Sequence, residues 1–282
     1  MEIIKNIEVD GKHGKPILAD VFYKDGRDAK PVIIFVHGFK GFKDWGAHNL
    51  MARYFSEKRF VFVKFNFSHN GVTSQKPLEF IDLEAFGNNN FSIELDDLGS
   101  VIDWISTTPL VPDYQKNIKE IYLIGHSRGG GISILKAAED TRIKKLVTWA
   151  SVNNFAVNWD DNFVKDWENK GVQWIKNTRT HQDMPIYFQL YQNYIENIDR
   201  LNIEAAVQKI NIPFLAAHGT EDYAVPFEHA LELKKWNQKL KLDLIPHGDH
   251  TFGVKHPFNE LNLPFDAQIL WEHTKDFLKT SE

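Results

Sequence analysis

Ile121-Tyr122-Leu123-Ile124-Gly125-His126-Ser127-Arg128-Gly129-Gly130-Gly131-Ile132 is the stretch on which the fold turns. Its first four residues form an apolar run, the mark of a strand covered on both faces. Gly125 to Gly129 then spell G-x-S-x-G. Beyond them Ile132, Ile134, Leu135, Ala137 and Ala138 predict a helix. Strand, sharp turn and helix are the one context that gives this pattern chemical meaning. A serine at such a turn sits in a strained backbone, so that its Oγ stands clear of the sheet. Side chains two residues before and after it would collide, which Gly125 and Gly129 avoid. The helix that follows aims its N-terminal amides at the same place and favours negative charge there. The Lys-Ser/Thr of a phosphate-binding P-loop and the spacing of G-x-G-x-x-G are both missing.

Working outward, apolar runs recur at Val32–Val36, Phe60–Phe65, Lys145–Trp149, Pro213–Ala217 and Leu242–Ile245. Helical spacing lies between them, as in Leu50, Met51, Tyr54 and Phe55, and again in Leu98, Val101, Ile102 and Ile105. Ser92 is the expected N-cap of the second of these helices, with Glu94, Asp96 and Asp97 in its first turn. A last helix is expected after Pro264, capped by Asp266, burying Leu270, Phe277 and Leu278. At the start of the chain, Ile3–Val9 and Ile17–Tyr23 flank the turn-forming pair Asp10-Gly11 and read as two strands. Strands alternating with helices predict an α/β fold, a mostly parallel sheet with helices on both faces. The segment 152–210 breaks the alternation and is rich in aromatic residues, among them Phe155, Trp159, Trp167, Trp174 and Tyr191. A stretch that long is structured or functional. It is expected to be a lid over one end of the sheet, inserted into a core of residues 1–151 and 211–282; the plainer alternative is extra helices packed on that core.

A serine hydroxyl is a weak nucleophile at neutral pH and needs a base and an acid that orients the base. In this architecture the chain order is serine, acid, histidine. Asp222 follows the strand Pro213–Ala217 and precedes Val225-Pro226; Glu221 is its rival, and a turn aspartate bonding its own backbone is the bland alternative. His250 follows the strand Leu242–Ile245, with His247 as its rival. A zinc site of His247, Asp249 and His250 has neither an H-E-x-x-H helix nor thiol ligands behind it, so no metal is expected. His37-Gly38-Phe39 ends the strand Val32–Val36. Oxyanion donors are then expected from the backbone amides of Phe39, in the loop after that strand, and of Arg128, next to the nucleophile. His37 itself reads as a packing histidine.

The 282 residues can bury a sizeable core without staples. A net charge of −5 with no basic face argues against nucleic acid as a partner. No cysteine is present, which excludes disulfides and thiolate metal sites. The opening residues Met1 to Asn6 do not read as a secretion signal, and no apolar run reaches the length of a membrane span. A cytoplasmic protein is expected, and a second copy of the chain, forming a homodimer, is a candidate partner.

Together, His37-Gly38-Phe39, Gly125-His126-Ser127-Arg128-Gly129, Asp222 with Val225-Pro226, and His250-Thr251-Phe252 resemble the α/β-hydrolase superfamily, and they do so across nearly the whole chain. Within it the sequence is most similar to short-lid esterases of the cinnamoyl or feruloyl type and to dienelactone-hydrolase-like proteins. The resemblance implies a sheet of about eight strands. It also implies a Ser127–His250–Asp222 triad, oxyanion amides at Phe39 and Arg128, no cofactor, and a small-molecule carboxylic ester as substrate. Dienelactone hydrolase itself uses cysteine, which this chain lacks, and dehalogenases and epoxide hydrolases place aspartate where Ser127 stands. Peptidase or thioesterase chemistry on the same residues is a rival reading, and a non-catalytic binding protein is a rival of another class. Aromatic residues of the insertion, with Phe39 and Phe252, are candidates for an apolar acyl pocket, although packing is their commoner role.

Overall fold

A computed structural model describes residues 1–156, 159–177 and 180–280. Chain order is β1 (Glu2–Val9), β2 (Ile17–Tyr23), β3 (Lys30–Val36), α1 (His48–Glu57), β4 (Val61–Asn66), α2 (Leu83–Gly87), α3 (Phe91–Thr107), β5 (Lys116–His126), α4 (Arg128–Glu139) and β6 (Ile143–Trp149). The insertion supplies α5 (Asp161–Lys170), β7 (Val172–Asn177), β8 (Gln182–Tyr187), α6 (Gln189–Glu196) and α7 (Ile203–Lys209). The chain returns through β9 (Phe214–Gly219), α8 (Glu228–Trp236), β10 (Lys241–Ile245) and α9 (Phe265–Lys279).

Eight strands form one sheet in the order β1-β2-β4-β3-β5-β6-β9-β10. Pairing is antiparallel at β1–β2 and β2–β4 and parallel from β4 to β10. Each apolar run becomes a strand, as expected, and β2 and β4 are buried along their whole length. Side chains alternate between two apolar layers. Val32, Ile34 and Val36 of β3 join one layer with Leu98, Ile132, Val207 and Leu233 from α3, α4, α7 and α8. Ile33 and Phe35 join the other, with Met51, Phe55, Leu270 and Trp271 from α1 and α9. The carboxyl ends of β3, β5, β9 and β10 therefore lie at one rim, where loops can converge between the layers.

Both expected helix caps move. Asn90, not Ser92, caps α3: its backbone is extended, and its side chain accepts the Ile93 amide at 2.9 Å. Ser92 is already helical, and its hydroxyl donates to Asn193 at 3.0 Å. Helix α9 begins at Phe265 with Pro264 in the cap position, so Asp266 lies in the first turn and complements the helix dipole. Phe277 is half-buried; Leu270 and Leu278 are buried. The insertion holds more than helices, since β7 and β8 pair as an antiparallel hairpin.

One polar cluster is not evident in the sequence. Asp20 of β2 is the register partner of Lys64 of β4, and their charges meet at 2.6 Å in the core. Lys43 and Asp44, from the loop that follows β3, complete a four-membered ion network with them. Asp20, Lys43 and Lys64 are almost wholly inaccessible. The network is neutral as a whole, so removing one member strands a buried charge. Lys64→Met is expected to lower the unfolding free energy by about 3–5 kcal/mol. Urea denaturation followed by fluorescence measures this, and an unchanged midpoint would show that the network contributes nothing.

Candidate active site

The turn from β5 into α4 places Ser127 at φ 57°, ψ −123°, a conformation that L-residues seldom adopt. The glycines around it are required by the crowding. A Cβ on Gly125 would strike the Gly129 carbonyl and the Ser133 hydroxyl, and one on Gly129 would strike the Val36 and His37 carbonyls. Gly38 brings the loop after β3 close: a Cβ there would lie 2.9 Å from Cβ of Ser127. That loop carries Phe39, and Arg128 opens α4, where the first amides have no partner within the helix.

Three distant side chains meet at this turn. Nε2 of His250 lies 3.1 Å from Oγ of Ser127, and Nδ1 of His250 lies 2.7 Å from Oδ2 of Asp222. Asp222 follows β9, and its Oδ1 accepts the amides of Ala224 and Val225, both at 2.9 Å. Burial works against its charge, but hydrogen bonds from His218 and His250 outweigh it and hold the carboxyl well below the usual range. Asp222 is therefore ionised at neutral pH. The rivals lie apart: His247 bonds Glu221 at 2.7 Å, with the imidazole largely exposed. His37 is buried, its Nδ1 donates to the Gly38 carbonyl at 2.9 Å, and burial lowers its pKa to about 4.

Two histidines at this rim were not singled out by sequence reasoning. Nε2 of His218, at the end of β9, donates to the Val225 carbonyl at 2.8 Å and lies 3.2 Å from Oδ2 of Asp222. His126, the residue before Ser127, donates from Nε2 to the His250 carbonyl at 2.9 Å. Burial lowers its pKa to about 3 and keeps it neutral. His126 thus holds the backbone of the His250 loop against the elbow. Its position inside G-x-S-x-G was the only sequence signal available.

The side chain of Arg128 turns back over the loop that follows β3. Its guanidinium carbon stands 3.8 Å from the centre of the Phe39 ring, and Nη1 lies 3.5 Å from Oε1 of buried Glu94. Burial pushes the Glu94 carboxyl up, while the Arg128 charge pulls the other way.

A cavity of about 540 Å³ opens beside Ser127. Phe39 and Phe252 line it, as expected of an apolar pocket. The described aromatic residues of the insertion do not; Phe155, Trp159, Trp167 and Tyr191 belong to the α3–α4–α7 layer instead. From the insertion only Asn177, among the described residues, reaches the cavity wall. Nearby, the Lys176 carbonyl accepts from Lys40 of the loop after β3 at 3.5 Å.

The sheet, the strained elbow and its surroundings define an α/β hydrolase. Residues 19–237 match the BD-FAE family, and the chain belongs to that family. A Mycoplasma pneumoniae protein named "Putative esterase/lipase 2" is 26% identical over 79% of this chain and 84% of its own length. Est1E from Butyrivibrio proteoclasticus, solved with ferulic acid bound, superposes with a TM-score of 0.73 at 20% identity, covering 96% of this chain and 97% of that one. The α/β hydrolase GrgF from a Penicillium species gives 0.72 at 17% identity, over 99% and 98% of the two chains. The expected resemblance to esterases of the α/β-hydrolase superfamily is borne out by these matches. Among the described residues no helix is long and apolar enough to cross a membrane.

Proposed function

We propose that this protein hydrolyses carboxylic esters of small molecules through an acyl-enzyme on Ser127. The observation that carries the reading is the hydrogen-bonded chain from Ser127 through His250 to ionised Asp222, set at a strained elbow. His250 takes the Ser127 proton while Oγ attacks the ester carbonyl. The amides of Phe39 and Arg128 receive the developing oxyanion, an interaction whose loss costs about a hundred- to a thousandfold in rate. Asp222 keeps the proton of His250 on Nδ1 and stabilises the imidazolium. His250 then protonates the leaving alcohol, and water repeats the sequence on the acyl-enzyme. No step calls on a cofactor. The test is labelling by a fluorophosphonate probe, with p-nitrophenyl acetate turnover beside it. Wild-type protein is expected to be labelled at Ser127; a folded protein that neither reacts nor turns over ester would point to the non-catalytic rival.

The insertion at 152–210 acts in this reading as a cap on the hydrolase core formed by 1–151 and 211–282. The support is Asn177 in the cavity wall and the Lys40–Lys176 contact. Residues 157, 158, 178 and 179 of that range lie outside the described residues.

Arg128 acts in a second way, as a positioning residue. Its side chain stacks on Phe39, so the two residues that offer oxyanion amides are clamped to each other. A stack of this kind contributes about 0.5–2 kcal/mol. Arg128→Met, which keeps the backbone amide, is expected to lower kcat between about two- and thirtyfold with little change in KM. Arg128→Lys restores the charge beside Glu94 but not the flat stack, so it should recover stability more than kcat. Parallel kinetics and thermal melts separate the two effects. Equal loss of stability and full kcat in both variants would leave Arg128 a purely structural residue.

A further inference from the structure

The cavity beside Ser127 runs to an unexpected side of the sheet. One wall is lined by Phe35, Met51, Trp149, Ala267, Leu270 and Trp271. All six belong to the apolar layer between the sheet and helices α1 and α9, opposite the layer that holds the insertion's aromatic residues. The indole N–H of Trp149 is already engaged by the Thr274 hydroxyl at 3.0 Å, so this wall presents apolar surface. No aspartate or glutamate lines the cavity. A void of about 540 Å³ falls within the size of small-molecule sites, about 300–1,000 Å³.

We propose that this space between the sheet and α1/α9 is the acyl-binding pocket, and that it takes an apolar acyl chain of medium length. The proposal rests on the ester-hydrolase reading above. The chemistry decides which arm of the ester goes inside. The alcohol must collect a proton from Nε2 of His250 and depart, whereas the acyl group stays bonded to Oγ of Ser127 until water releases it. The apolar wall of this space therefore suits the arm that remains, and the alcohol leaves towards solvent.

Two p-nitrophenyl and alkyl ester series test this. In the first the acyl chain lengthens from acetate through butanoate and octanoate to dodecanoate; in the second the acyl group stays butanoate and the alcohol lengthens. Wild-type kcat/KM is expected to rise by about fourfold for each added acyl methylene until the wall is reached, the worth of burying one CH₂. The alcohol series should stay nearly flat. Leu270→Trp narrows the space beside α9 and should lower the octanoate-to-acetate ratio at least tenfold, while Met51→Ala enlarges it beside α1 and should raise the dodecanoate-to-octanoate ratio. If the tryptophan variant does not fold by circular dichroism, the alanine variant decides. Equal turnover of acetate and octanoate, a response to the alcohol in place of the acyl chain, or unshifted ratios in the folded variants would overturn the pocket while leaving the hydrolase intact. Failure of wild-type protein to react with a fluorophosphonate or with any ester would instead sink the underlying reading.

Discussion

Ser127→Ala is expected to lower kcat by about 10⁴-fold or more against any ester the wild type turns over, while the protein melts within a few degrees of the parent. The expectation follows from what the substitution removes and what it leaves. It deletes Oγ, the atom that lies 3.1 Å from Nε2 of His250. It leaves Cβ, so the packing against Gly38 and the strained backbone at φ 57° are unchanged. The amides of Phe39 and Arg128 also remain, so residual turnover above the uncatalysed rate measures what the proposed oxyanion site contributes without a nucleophile. The loss of fluorophosphonate labelling is the direct readout. Normal turnover by a folded Ser127→Ala protein would overturn the mechanism.

Asp222→Asn should be nearly as damaging, by about 10⁴-fold in kcat, although it changes a single atom. The reason lies in the hydrogen bonds around residue 222. Its Oδ1 accepts two backbone amides, from Ala224 and Val225. An asparagine satisfies those donors only by placing its carbonyl oxygen there, which turns its NH₂ towards Nδ1 of His250. Nδ1 must then accept, so the ring proton moves to Nε2, where it faces Ser127. The base has lost the lone pair it needs, with the geometry otherwise intact. KM is expected to change little. A crystal structure of the variant with the three side chains in place, beside kcat lowered by the stated amount, is the outcome consistent with this account; wild-type kcat would show that the carboxylate does not set the tautomer.

How much of this was readable beforehand depends on whether the signal is local. The elbow was legible because its constraints act within five residues: Gly125 and Gly129 are needed wherever a serine stands at such a turn. The strands were legible because a run such as Val32–Val36 is apolar throughout. The same property hid the cavity. When both faces of a strand are apolar, the sequence carries no sign of which side a residue points to. Nothing in the letters separates Ile34, in the α3–α4 layer, from Phe35, which lines the cavity with α1 and α9. The cap of α3 slipped for a related reason: Asn90 and Ser92 are both good caps, and the contact that engages Ser92 comes from Asn193 of another helix.

The sequence by itself determined an α/β fold, the strained serine turn, and the identity and order of the three side chains proposed to act. Tertiary structure alone decided that His126 and His218 brace that trio, that Lys43 and Lys64 tie the loop after β3 to the sheet through buried charge, and that the cavity opens under α1 and α9. The division has one physical cause. Backbone strain and burial periodicity are written in neighbouring residues, whereas ion networks, bracing hydrogen bonds and voids arise between segments that meet only when the sheet is assembled.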